Sequence, residues 1–116
     1  MIVRDTILRR VGDPARACFM VLGDCNDSKR SKPLGHLLKR GKVEIATLLT
    51  AVDRHGETWT HFYRAEDSYS RVDYIMVSAA LRDTVVGGTA RIYDAPETLL
   101  ASDHRPVMAT LRLEKP

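Results

Sequence analysis

Three short strings hold the residues best suited to chemistry: Gly23-Asp24-Cys25-Asn26, Arg71-Val72-Asp73-Tyr74-Ile75 and Ser102-Asp103-His104-Arg105-Pro106. Carboxylate oxygens are hard donors that suit Mg²⁺ or Mn²⁺, and a carboxylate close to an attacking water can take its proton. Asp24 is the candidate for that base or water-positioning group, and the Asn26 amide can donate to a phosphate oxygen. Asp103 is a candidate metal ligand. His104 can hydrogen-bond a phosphoryl oxygen and, when protonated, offset charge in a transition state. Such a set points to hydrolysis of a phosphate ester.

The elements around these strings have to bring them together. Asp24 closes the apolar run Cys18–Leu22, whose lack of alternation predicts a central strand covered on both faces. Asp103 and His104 come just before an alternating run, Pro106 to Leu113, and Asp73 stands near the start of another, Val72 to Val77. Antiparallel neighbours would place Asp24, Asp103 and His104 at one sheet edge, where Asp73 can join them. Elsewhere, apolar spacing predicts a helix over 2–11, stopped by Gly12-Asp13-Pro14, and Ser31 can cap a short helix through about Arg40. Residues 44–52 fit either a helix or a strand. Thr58–Tyr63 is β-rich, 65–70 reads as a polar loop, and 79–83 as a short helix. Thr89–Tyr93 reads as a strand and 96–101 as a helical turn. Strands alternating with helices predict an α/β or α+β sandwich.

Composition narrows the classes. A chain of 116 residues with net charge +3 has the size of one domain, and its basic residues are spread rather than gathered in a nucleic-acid-binding arm. Cys18 and Cys25 lie an odd number of positions apart and would face opposite sides of one strand, so reduced thiols and a cytoplasmic location are expected. No apolar stretch approaches the roughly 20 residues needed to cross a bilayer, which predicts no membrane partner. Three consecutive residues cannot assemble a Ser-His-Asp triad, and the cysteines and histidines lack paired zinc-ligand spacing. Asp27, His36, His55 and His61 read as ordinary turn, helix and strand positions, and Cys25 as a small buried hydrophobe. Trp59, Tyr63 and Tyr74 read as core or groove wall, while Arg64, Arg71 and Arg105 either line an anion groove or are solvated surface.

Taken in order, the three strings resemble the GDxN, R-[IV]-DY-[IL] and SDHxP motifs of the endonuclease/exonuclease/phosphatase superfamily, and Thr58-Trp59 fits its Thr-aromatic strand. The resemblance covers the carboxyl-terminal half of such a domain. It implies an α+β fold over 1–116, half of a four-layer α/β sandwich, with one mixed, mainly antiparallel β-sheet and helices on one face. It also implies that Asp24 and Asn26 carry the nucleophile and phosphate roles and that Asp73 orients a catalytic histidine. Asp103 with His104 would complete the metal and phosphate site, with Mg²⁺ or Mn²⁺ as cofactor and a phosphate ester, nucleic acid included, as substrate. Complete members are about twice as long, and their first half supplies an asparagine, a metal-binding glutamate and a further histidine or tyrosine. Glu44, Glu57, Glu66 and Glu97 all follow the first string, so none occupies the place of that glutamate. Two expectations follow: a truncated, non-catalytic relative is the rival to an enzyme, and the sheet face left uncovered would make the chain a homo-oligomer.

Overall fold

A computed structural model describes residues 2–25 and 32–113; Asn26, Asp27 and the proposed cap Ser31 lie outside the described residues. The chain begins with helix α1 (Ile2–Val11), which buries no side chain and ends where Gly12, at φ 77°, returns its amide to the Leu8 carbonyl. Strand β1 (Met20–Asp24) and helix α2 (Lys32–Leu38) follow, then the short strands β2 (Lys39–Arg40), β3 (Val43–Glu44), β4 (Thr47–Leu48) and β5 (Ala51–Val52). Next come β6 (His61–Tyr63), β7 (Ser68–Ser70), β8 (Asp73–Val77), helix α3 (Ala79–Arg82), β9 (Ala90–Ile92), helix α4 (Thr98–Ala101) and β10 (Val107–Met108). Among the described residues no helix is long and apolar enough to cross a membrane.

β8 organises the sheet. It pairs antiparallel with β1 from Met20↔Val77 to Asp24↔Asp73, and on its other side with β4. β5 pairs parallel with β9, which pairs antiparallel with β10. Between these ladders the chain stays extended, since the Leu49 amide donates to Ile75 and Thr50 accepts from the Ala90 amide. β1, β8 and β4 thus form one three-stranded sheet and β10, β9 and β5 a second, and the Leu49–Thr50 link runs between them in a mixed and mainly antiparallel arrangement. The ambiguity over 44–52 is thereby settled as strand, in keeping with the β-branched Ile45, Thr47, Thr50 and Val52.

Side chains alternate along β8, and both of its faces are buried. Tyr74 and Met76 pack with Leu34 and Leu37 of α2 and with Ala46, so the larger helical cover lies on that face. Ile75 and Val77 pack with Leu49, Ala51, Ala90 and Ile92, and with Leu81 and Val85 from α3 and the turn after it. β8, not β1, is thus the covered central strand. Among the described residues β1 has a single partner, and although Val21 and Cys25 lean on the α2 cluster, Met20 and Leu22 are 44% and 62% exposed. An apolar run without alternation shows that both sides of a strand are apolar, but it cannot tell whether both are covered. The expected polar loop at 65–70 is corrected too: Asp67 turns at φ 48° and Ser68–Ser70 pairs with β6.

Candidate active site

The register of β1 on β8 sets Asp24 opposite Asp73 at one end of the sheet. A further stretch of pairing delivers the third string to the same end. The Phe62 amide donates to the Asp103 carbonyl (3.0 Å), the Arg105 amide donates to the Thr60 carbonyl (2.7 Å), and His61 and His104 form a bridge between them. Thr60 is wholly buried, and its Oγ1 accepts from the amides of Val72 (3.0 Å) and Asp73 (3.2 Å). The segment leading into β6 is therefore fixed to the start of β8, and 103–105 is fixed to β6. Ser102 Oγ accepts from the His104 amide at 3.0 Å and shapes the loop before it.

These ties bring Asp24, Asp73, Asp103 and His104 together, as the motifs lead one to expect. His104 Nδ1 lies 2.8 Å from Asp73 Oδ2. An ionised carboxylate only accepts, so Nδ1 carries the proton and Nε2 is the atom presented to the groove. There Nε2 sits 3.7 Å from Asp24 Oδ2 and 3.9 Å from Asp103 Oδ1. The hydrogen bond that His104 donates to Asp73 raises the His104 pKa above its ordinary 6.5; partial burial opposes this, and the charges of Asp73, Asp24 and Asp103 reinforce it. A groove of about 380 Å³ runs past this point, lined by Leu22, Asp24, Asp73, His104 and Pro106. A larger hollow of about 600 Å³ near Tyr93 and Met108 has no such cluster, and its Asp94 is held by Arg54 at 2.8 Å.

One residue at the site escaped the sequence. His61 Nε2 lies 3.2 Å from Asp103 Oδ2, and its ring centroid is 4.6 Å from that of His104. Nothing in a β-rich stretch marks such a histidine, because its partner is 42 positions away and is reached only through the pairing of β6 with 103–105. Of the arginines, Arg64 is exposed, as solvated surface would be, while Arg105 lies in the groove wall with its guanidinium buried against Asp53 instead of offered to an anion or to solvent. Arg71 folds back over the Tyr74 ring and donates from Nε to the Asp73 carbonyl. Asn26, the proposed phosphate donor, lies outside the described residues.

Two donor groups have ligand atoms within 4.8 Å of one another: Asp24, Asp73 and His104, and His61, Asp103 and His104. The exposed carboxylates of Asp24 and Asp103 suit a cation that keeps several waters, as Mg²⁺ does, and the imidazoles favour Mn²⁺ over Mg²⁺. Among the described residues neither group includes a glutamate.

In a comparison with known families, the profile described as Endonuclease/Exonuclease/phosphatase family aligns with residues 2–104. No curated protein and no solved structure matches the chain.

Proposed function

Since the chain belongs to the endonuclease/exonuclease/phosphatase family, we propose that it is a metal-dependent phosphoesterase that hydrolyses a phosphodiester or phosphomonoester by attack of water activated at Asp24. The observation that carries this reading is the His104–Asp73 pair, which aims one imidazole nitrogen between the carboxylates of Asp24 and Asp103 at the groove. Asp73 holds the tautomer, and the imidazolium it favours donates from Nε2 to a phosphoryl oxygen as charge builds there. Asp24 takes the proton from the attacking water. Asp103, backed by His61, would hold Mg²⁺ or Mn²⁺, which when bound supplies Lewis-acid neutralisation of the phosphate charge. Asn26 is assigned the remaining amide donor.

Family membership supports a phosphate ester or nucleic acid as substrate, and the net charge of +3 is compatible with a polyanion. The chain is read as the carboxyl-terminal half of such a domain, working as a homo-oligomer through its open sheet face. Purified protein with Mg²⁺ or Mn²⁺ is expected to cleave nucleic acid or a phosphate monoester, with Asp24→Ala and His104→Ala each slower by about 10²- to 10⁴-fold. A wild type that cleaves neither and behaves as Asp24→Ala does would remove the enzyme reading. The second reading, a non-catalytic domain kept for binding or assembly, is favoured by the lack of a glutamate among the described donors. Calorimetric titration with Mn²⁺ separates the two, because Asp103-dependent binding argues for the enzyme.

A further inference from the structure

Directly behind Asp103 and His104, the side chain of Arg105 is 4% exposed, and that of its partner Asp53 is 1% exposed. Nη1 of Arg105 donates to Asp53 Oδ2 at 2.9 Å, while Nε and Nη2 both donate to the Trp59 carbonyl, at 3.2 and 2.7 Å. The guanidinium carbon lies 3.5 Å from the centroid of the Trp59 ring. Asp53 stands just after β5, and its Oδ1 accepts from the amides of His55 (2.7 Å) and Glu57 (2.9 Å). One buried ion pair thus joins the end of β5, the turn at 53–57, the approach to β6 and the loop bearing Asp103 and His104.

Burying two charges is a poor way to stabilise a fold, because the lost hydration offsets most of their attraction and an apolar pair of similar volume often does as well. An arginine fork instead fixes direction, since its planar donors accept only one arrangement of acceptors. All these donors are engaged on Asp53 and Trp59, away from the groove chemistry. We infer that Arg105 and Asp53 are a positioning pair that sets Asp103 and His104 against Asp73 and Asp24. The catalytic part of this inference rests on the phosphoesterase reading above; the geometric part does not.

The test compares Arg105→Lys, which keeps the charge but loses the fork, with the double replacement Arg105→Met/Asp53→Leu, which removes both charges. Two readouts are taken beside a thermal melt: the nuclear Overhauser cross-peak between the His61 and His104 rings, and kcat and KM on whichever ester the wild type cleaves. The double replacement is expected to melt no lower than Arg105→Met alone. In it and in Arg105→Lys, the cross-peak is expected to weaken and kcat to fall about 10- to 100-fold with little change in KM. If both variants keep the wild-type cross-peak and kcat, Arg105 is structural only and the inference is overturned. If the wild type shows no hydrolysis, the cross-peak alone decides the positioning role, and only the enzyme reading is lost.

Discussion

At the scale of single residues, the site is a histidine whose proton affinity is set by neighbouring carboxylates. The sign of the linkage follows from the raised His104 pKa. The folded state favours the protonated ring, so the His104–Asp73 contact contributes its full stabilisation below the ordinary imidazole value of 6.5 and loses it as pH rises through the raised folded value. Asp73→Asn is therefore expected to be less stable than wild type at pH 5 to 6 and to converge with it at alkaline pH, measured by urea denaturation across that range. A stability gap that stays constant with pH would show that the pair is not what raises the pKa. That Asp24, Asp73, Asp103 and His104 come together in the candidate site could be read from the sequence because each sits inside a contiguous string. His61 and the Asp53–Arg105 pair could not. Their contacts cross 42 and 52 positions, and the residues that make them look like ordinary strand, turn and surface positions.

At the scale of elements, Thr60 is the residue through which the strands become a site. A single buried hydroxyl accepts from two amides at the start of β8, while the backbone of the same residue binds Arg105 and Ser70. Thr60→Val preserves shape and leaves those two amides without their acceptor. A loss of about 1–3 kcal/mol is expected from the unsatisfied donors, to be read from the urea midpoint at unchanged m-value. A change within experimental error would mean that the amides find other partners. The strand at Val72–Val77 was legible because an apolar run of that length, buried on both faces, leaves little else to be. The hairpin at 61–70 was only half legible. Ser68-Tyr69-Ser70 has the composition of a loop, and it becomes a strand because β6 offers it a partner.

At the scale of the whole molecule, the two core clusters share β8, but the free edge beside β1 is closed by nothing among the described residues. Met20 and Leu22 lie in register with Val77 and Ile75, so their side chains continue the apolar face that Leu49, Ala90 and Ile92 bury further across the sheet. On that face the burial stops abruptly, from Val77 at 0% exposure to Leu22 at 62%. Apolar edge strands left in this state pair with or pack on another chain, and a second copy offers the same strand and the same two side chains, the self-complementarity that a two-fold interface requires. The wild type is therefore expected to scatter light as a dimer at micromolar concentration. Leu22→Lys, which places a charge on the exposed face without touching the side on which the partly buried Val21 packs, is expected to shift it to monomer with the fold intact by circular dichroism. A wild type that is monomeric under these conditions would remove the second copy as the cover for β1 and leave that strand as a tolerated open edge.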